Sequence, residues 1–179
     1  MRRAAERVLV SSIMEPLTEE DIRSSFVNCS KGEARRISVP RDLAERDWAD
    51  LDFLGWRDPG APDRGYLVVE RDGKLVGITL RAPQGVRRSF TKTNICTICT
   101  TGHPGTGVAL LAAPKVGASG RQGNTVGAYL CADLACSLYV RGKKTTGMGL
   151  RYEESLTVEE QIERLRGNLH DFLEKVGAS

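Results

Sequence analysis

The cysteines of this 179-residue chain are the residues whose type and spacing most directly indicate chemistry. Cys96 and Cys99 form a C-x-x-C pair in the polar, turn-forming stretch "TNICTICTTGHPG", and Cys131 and Cys136 form a second pair in "CADLAC". Cysteine thiolates act as nucleophiles, as redox centres and as soft metal ligands. Three explanations are therefore open for the first pair: a redox centre, a metal-binding knuckle, or coincidence.

The surroundings of the first pair favour a metal over redox chemistry. A redox C-x-x-C usually follows a core strand and begins a helix, whereas Cys96 follows the polar run "SFTKTN" and precedes Gly102 and Pro104. A redox sensor whose thiols release zinc on oxidation remains a weaker alternative. His103 could replace one cysteine as a ligand, and Cys29, which lies apart, is interpreted as a small buried hydrophobe.

The elements around the two pairs explain how four thiols could meet. The apolar runs at 106–113 and 124–131 predict an antiparallel hairpin. The first cysteine pair lies just before this hairpin in the sequence, and the second pair lies at and just after its end. Because the outer ends of a hairpin lie side by side, the two pairs converge. Asp133 is a suitable N-cap for a helix over "LACSLYVRG", which would place Cys136 in its first turn and let Gly142 end it.

A knuckle, a hairpin and a helix that supplies the last ligand are the parts of a treble clef. The sequence therefore predicts an α+β fold built on a treble-clef zinc finger, with one structural zinc ion held by Cys96, Cys99, Cys131 and Cys136. Such a closed, all-cysteine site contributes folding energy and not reactivity. Four thiolates around a divalent ion carry two negative charges, so the formal charge of +3 falls to about +1 (3 − 2) when metal binds.

Further elements surround this zinc finger. The segment "GYLVVERDGKLVGITLRA" predicts an additional hairpin that turns at Asp72 and Gly73. Thr18 and Asp21 can cap a first helix, and a capping box at Thr157 opens the amphipathic helix "TVEEQIERLRGNLHDFLEKV". We expect an N-terminal extension over 1–16 and one α+β domain over 17–179 that ends in this helix.

Six apolar residues of the tryptophan-containing segment are expected in the core: Leu43, Trp48, Leu51, Phe53, Leu54 and Trp56.

Composition narrows the class of protein. No apolar run approaches the ~20 residues of a membrane span, and the N-terminus lacks the apolar stretch of a signal peptide, so a cytoplasmic protein without membrane contact is expected. No serine–histidine or paired-carboxylate arrangement stands out, and "GRQGNTVG" lacks the G-K-[ST] ending of a phosphate loop. We therefore expect neither an enzyme nor a small-molecule substrate.

Two basic segments could form a mobile recognition surface: the loop 114–123, and the stretch "RGKKTTGMG" after the predicted helix. Their candidate partner-binding residues are Lys115, Arg121, Gln122, Arg141, Lys143 and Lys144. The same cations could instead balance the charge of the zinc centre, or could bind RNA directly. RNA binding is the less favoured function, because Tyr129 and Tyr139 are interpreted as packing residues and not as base-stacking residues.

Long blocks of the chain carry a family resemblance. "FVNCSKGEARRISVP", "LDFLGWRDPGAPDRGYLVV" and "CTICTTGHPGTGVALLAAPKVGASGRQGNTVGAYLCADLACSLYVRG" resemble the C-terminal treble-clef zinc-finger domain of elongation factor G-binding proteins of the FusB type. The resemblance runs from about Pro16 to Arg164. It implies an α+β domain with one structural zinc on the same four cysteines.

The resemblance also implies a function in translation. Members of the family bind elongation factor G through the zinc-finger region and promote its release from ribosomes stalled by fusidic acid. On the ribosome, this chain could also contact ribosomal RNA. The implied contact surface comprises Thr97, Ile98 and the loop around Arg121 and Gln122. Family members place an aromatic anchor between the first two cysteines, where this chain has Thr97 and Ile98. They also carry a helical bundle before this domain, where this sequence has about 16 residues.

Overall fold

The structure is a computed structural model that describes residues 13–85, 93–147 and 154–178. Most of the predicted extension over 1–16 and the end of "RGKKTTGMG", from residue 148, lie outside the described residues.

Antiparallel strands form two sheets within the described residues. The larger has five strands in the order β1-β2-β3-β6-β7, and the smaller pairs β4 with β5. The strands are β1 (Leu54–Arg57), β2 (Arg64–Arg71), β3 (Lys74–Arg81), β4 (Thr93–Ile95), β5 (Gly102–Pro104), β6 (Val108–Pro114) and β7 (Thr125–Cys131). With its helices this makes a mixed α+β fold, which confirms the predicted class.

Helices flank the sheets: α1 (Glu19–Ser24), α2 (Lys31–Arg35), α3 (Ala118–Arg121), α4 (Cys136–Val140) and α5 (Val158–Val176), with short 3-10 turns at Leu43–Glu45 and Trp48–Asp50. The capping boxes predicted at Thr18 and Thr157 are confirmed. Helix α2 was not predicted. It begins with a capping box formed by Ser30 and Glu33.

Both predicted hairpins are confirmed. Strands β2 and β3 turn at Asp72 and Gly73, which have φ values of 51° and 75°, as a tight two-residue turn requires. Strands β6 and β7 pair in register from Val108 opposite Cys131 to Pro114 opposite Thr125. The end of β7 is therefore held beside the start of β6.

The basic loop between β6 and β7 is more regular than predicted. It contains the helical turn α3, which begins after Gly117, a residue with a φ of 78°. A Cβ atom at Gly120 would lie 1.7 Å from the carbonyl oxygen of Lys115, so only glycine fits this close approach of two backbone segments. These glycines serve a compact turn and not the open, mobile loop that the sequence suggested.

The core runs from the sheet to the C-terminal helix. Of the six apolar residues expected in the core, five are buried and Leu43 packs against them half-buried. Helix α5 buries Leu165, Leu169 and Phe172 along one face, as its spacing predicted. None of the helices in the described ranges has the length and apolar character needed to cross a lipid bilayer.

Asn28 joins two strands that diverge. In the described chain, β3 and β6 are paired at one position, Arg81 opposite Ala112. Next to it the Asn28 amide donates to the carbonyl oxygens of Thr79 at 3.1 Å and Pro114 at 3.0 Å, and accepts from the Thr79 N–H at 2.8 Å. This side chain substitutes for the missing strand-to-strand hydrogen bonds.

We expect Asn28→Ala to lower the free energy of unfolding by about 2–4 kcal/mol, because it leaves buried backbone donors and acceptors unsatisfied. Urea denaturation measures this change. Asn124→Ala is the control, since its exposed amide contacts the Ser119 hydroxyl, and we expect less than about 1 kcal/mol. Equal losses in the two variants would contradict the bridging role.

Candidate metal centre

Four sulfur atoms meet at the open end of the β6–β7 hairpin. The Sγ atoms of Cys96 and Cys136 are 3.7 Å apart, those of Cys99 and Cys131 are 3.5 Å apart, and all four lie within 4.8 Å of one another. None of them is in a disulfide. In a tetrahedral site with zinc–sulfur bonds of about 2.3 Å, the sulfurs would be separated by about 3.8 Å. The cluster therefore has the dimensions of a zinc site.

The backbone delivers these sulfurs as the sequence predicted. Cys96 and Cys99 lie in the knuckle after β4, which is closed by hydrogen bonds from the Cys96 N–H to the Thr101 oxygen at 3.0 Å and from the Thr100 N–H to the Cys96 oxygen at 2.8 Å. Cys131 is the last residue of β7 and Cys136 is the first of α4. Knuckle, hairpin and helix together make the fold a treble-clef zinc finger.

The start of α4 differs from the prediction. Asp133 was expected to be the N-cap, but Ala135 holds that position because Leu134 adopts the left-handed conformation, with a φ of 58°. Asp133 instead accepts from the Ala135 N–H at 3.0 Å and so shapes the turn before the helix. Gly142, with a φ of 66°, follows the helix as predicted, and its N–H bonds to the Tyr139 oxygen.

The electrostatics of the cluster call for a cation. All four cysteines are at most 2% exposed. Hydrogen bonds from Cys131, Cys136 and Cys99 lower the pKa of Cys96, whereas the interactions with Cys131 and Cys96 raise the pKa of Cys136. These opposite pKa shifts favour a thiolate at Cys96 over thiolates at Cys131 and Cys136. A bound divalent cation would offset two of the four buried negative charges and bridge the thiolates, so the residues present fit zinc.

His103 lies next to the cluster without completing it. The residue is 3% exposed on β5, and its Nε2 atom is 3.3 Å from the Cys131 sulfur. Burial lowers the pKa of His103, which favours a neutral ring whose Nε2–H can donate to a metal-bound thiolate. Gly107 makes room for the ring, since a Cβ atom there would lie 2.5 Å from that of His103. The four cysteines already complete a tetrahedral set, so His103 supports a ligand and does not replace one.

A second layer of contacts surrounds His103. Its ring packs edge-to-face on Tyr139 with centroids 4.6 Å apart. The Tyr139 hydroxyl donates to Asp133 at 2.8 Å, and the Lys144 ammonium donates to the same carboxylate at 2.6 Å. Lys144 is therefore part of the support for the metal centre.

A buried carboxylate joins the metal-binding helix to the rest of the core. Asp52, whose side chain is fully buried, accepts two hydrogen bonds from Arg141, at 2.6 and 3.2 Å, and one from Arg166 at 2.9 Å. Its N–H donates to the Ser137 hydroxyl at 3.0 Å. The segment before β1, helix α4 and helix α5 thus share one ionic group.

The candidate partner-binding residues divide into three groups. Arg141, Lys143 and Lys144 form ion pairs with Asp52, Asp50 and Asp133, so these three cations are engaged within the chain. Ile98 is 1% exposed, and its carbonyl accepts from Asn168, so it packs beneath the knuckle. Thr97 is exposed, whereas Lys115, Arg121 and Gln122 lie at the other end of the hairpin.

Sequence reasoning missed an exposed apolar patch beside the metal centre. Tyr129 was interpreted as packing, but it is 54% exposed, and Ile95 is 62% exposed. The Thr97 N–H donates to the Tyr129 oxygen at 2.7 Å, which connects the knuckle to β7. We call Ile95, Thr97 and Tyr129 the knuckle surface. Strand alternation was the available signal, because Tyr129 lies between the buried residues Ala128 and Leu130.

Comparison with known proteins gives a family match and a structural neighbour. The family model of the FBP C-terminal treble-clef zinc-finger matches residues 21–176. The solved structure described as the fusidic acid resistance protein FusC is 19% identical, with a TM-score of 0.49, and the alignment covers 82% of this chain and 58% of that one. The chain thus spans less than two thirds of that neighbour's length. No curated protein matches the chain.

We expect one zinc ion per purified chain, and we expect Cys136→Ser to lose both the metal and cooperative thermal unfolding. Removal of one ligand leaves an incomplete buried site, and zinc binding can contribute about 10–16 kcal/mol to the folding of small domains. Elemental analysis and thermal denaturation measure the two effects.

Cys29→Ser is the matched control, because it makes the same chemical change outside the cluster. Burial raises the pKa of Cys29 to about 11, so this residue is a neutral thiol at pH 7. We expect the control to retain zinc and cooperative unfolding. A metal-free wild type that unfolds cooperatively at the same temperature would contradict the account.

We expect Asp52→Asn to destabilise the zinc-bound protein by about 3–5 kcal/mol, because it leaves two arginines without their shared carboxylate. Asp50→Asn, which affects the pair with the exposed Lys143, should cost less than about 1 kcal/mol. Urea denaturation at saturating zinc compares the two, and equal costs would argue against the role of Asp52.

Proposed function

This chain belongs to the FBP C-terminal treble-clef zinc-finger family, and from that premise we propose that it binds elongation factor G and promotes its release from the ribosome. The role is one of binding without catalysis. The resemblance to FusB-type proteins extends the proposal to rescue of translation in the presence of fusidic acid. Because its partners work in the cytoplasm, the chain would act there.

The observation that carries the proposal is the knuckle surface. Ile95, which directly precedes Cys96, and Tyr129, whose carbonyl accepts from the Thr97 N–H, are large exposed side chains next to the knuckle. Tyrosine is enriched at the energetic centres of protein interfaces, and exposed apolar patches commonly mark partner sites. Tyr129 can supply the aromatic anchor that family members carry between the first two cysteines.

The zinc would contribute to binding by making this surface rigid. The knuckle is held by two metal ligands, by its own turn hydrogen bonds and by the bond from Thr97 to β7. A surface that is ordered before binding pays little conformational entropy on association. A rigid binder that prefers one conformation of elongation factor G shifts the factor's population towards that conformation. Release follows if the preferred conformation has low affinity for the ribosome.

The alternative function is direct RNA binding through the five basic residues named from the sequence. Three of these five form ion pairs within the chain, so they are less available to contact RNA. Arg141, Lys143 and Lys144 face carboxylates at the metal end. Protein binding at the knuckle surface therefore has the stronger support at this end of the molecule.

We expect Tyr129→Ser and Ile95→Ser each to weaken binding to purified elongation factor G at least tenfold, which corresponds to about 1.4 kcal/mol for loss of an interface anchor. Isothermal titration calorimetry with the factor from the same organism measures the affinity. A ribosome pelleting assay with and without fusidic acid then tests release.

Ile13→Ser is the control, because Ile13 is also an exposed isoleucine, at 45%, outside the knuckle surface. We expect its affinity to stay within twofold of wild type. The proposal fails if wild-type protein shows no binding to the factor, or if all three substitutions weaken binding equally.

A further inference from the structure

A second candidate binding site lies at the turn end of the β6–β7 hairpin, away from the cysteines. It is a cleft of about 1120 Å³ between helix α2, the facing ends of β2 and β3, and the α3 turn. Five cationic residues line it: Arg36, Arg64, Arg81, Lys115 and Arg121.

The charged residues that line this cleft are almost all positive. Among its described lining residues Glu33 is the one carboxylate, which leaves an excess of four positive charges (5 − 1). That carboxylate is already engaged, since it accepts from the Ser30 N–H at 2.8 Å and from the Ser30 hydroxyl at 2.7 Å. The Ser30 hydrogen bonds, and after them the charges of Arg36 and Arg81, lower the pKa of Glu33, so it stays ionised.

The cleft cations differ from those at the metal end in having no salt-bridge partner, although Arg64 is hydrogen-bonded to Tyr66. Within the described ranges, no carboxylate lies within salt-bridge distance of any of the five, whereas Arg141, Lys143 and Lys144 are all paired. Arg64 and Arg81 are also register partners on β2 and β3. Like charges directly opposite on paired strands repel, so this arrangement costs stability unless an anion binds between them.

We propose that this cleft binds the phosphodiester backbone of RNA. Arginine guanidinium groups form bidentate hydrogen bonds with phosphate, and four of the five cations are arginines. A chain that carries one negative charge at every nucleotide matches a group of unpaired cations better than a peptide with irregularly spaced acidic residues. The Tyr66 ring in the cleft wall is 4% exposed and its hydroxyl donates to Asp58, so it is not available for base stacking. Binding should therefore depend little on sequence.

The position of the cleft makes RNA binding separable from binding at the knuckle surface. Strand β6 runs from Val108, beside the cysteines, to Pro114, at the cleft. Seven extended residues span about 20 Å, so the two sites lie at opposite ends of one hairpin. A partner protein at one end and an RNA strand at the other could be bound at the same time. Binding at either site can therefore be abolished, or found absent, without affecting the other.

Fluorescence anisotropy of the zinc-loaded full chain with a labelled single-stranded RNA 16-mer of mixed sequence tests the proposal. We expect affinity to fall with salt, with a log–log slope of roughly −2 to −3 if three or four phosphates are contacted. Arg81→Gln/Arg121→Gln should weaken binding at least tenfold and make the slope shallower by about 1.4.

Lys74→Gln/Lys143→Gln removes two exposed lysine charges outside the cleft and is the matched control. It should bind within twofold of wild type. Should the first cleft variant fail to fold, Arg36→Gln/Lys115→Gln removes two other cleft charges and should show the same loss. A free nucleotide should compete only weakly, because it offers few of the contacts.

Four outcomes would overturn the proposal: no RNA binding at low salt, equal loss in cleft and control variants, displacement of the RNA by an equimolar free nucleotide, or cleft-dependent binding of polyglutamate without binding of RNA. The last would assign the cleft to an acidic protein segment.

Discussion

The fold depends on one constraint: four sulfur atoms must share a volume small enough for a single ion. The register of β6 and β7 sets this condition, because it holds Cys131 opposite Val108, at the end of β6 that lies nearer the knuckle in sequence. The first turn of α4 adds Cys136. The four buried thiols cannot all ionise without a cation between them. Binding of zinc by these four thiols would therefore accompany formation of this end of the molecule, and a four-cysteine site would act structurally.

The two ends of the β6–β7 hairpin differ in how far their charged side chains are paired with opposite charges. Around the cysteine cluster, Asp50, Asp52 and Asp133 pair with Lys143, Arg141 and Lys144, which follow α4, so a zinc centre with two net negative charges would be enclosed by a nearly balanced shell. At the cleft the cations are gathered with little acidic compensation. Ion pairs at the metal end fix the local geometry and leave an apolar patch exposed, whereas the excess positive charge at the cleft would attract a polyanion over a longer range.

Local signals in the sequence predicted what local interactions determine. The capping boxes at Thr18 and Thr157, the Asp72-Gly73 turn and the meeting of the cysteine pairs each depend on a few neighbouring residues or on one hairpin, and all are confirmed. Contacts between distant segments were not predictable in this way. Asp52 meets Arg141 across 89 residues, and Asn28 meets Pro114 across 86. Such pairs are set by how the sheet and helices pack, so the carboxylates that pair with Arg141, Lys143 and Lys144 were not identified from the sequence.

X-ray absorption at the zinc edge of the purified protein tests the central claim most directly, because it reports the ligand atoms and their distances without requiring crystals. The account predicts four sulfur neighbours at about 2.3 Å and no nitrogen or oxygen in the first shell. A first shell with three sulfurs and one nitrogen would show that His103 displaces a cysteine. The absence of a zinc edge from protein that is folded would contradict the constraint on which the fold and the proposed interfaces depend.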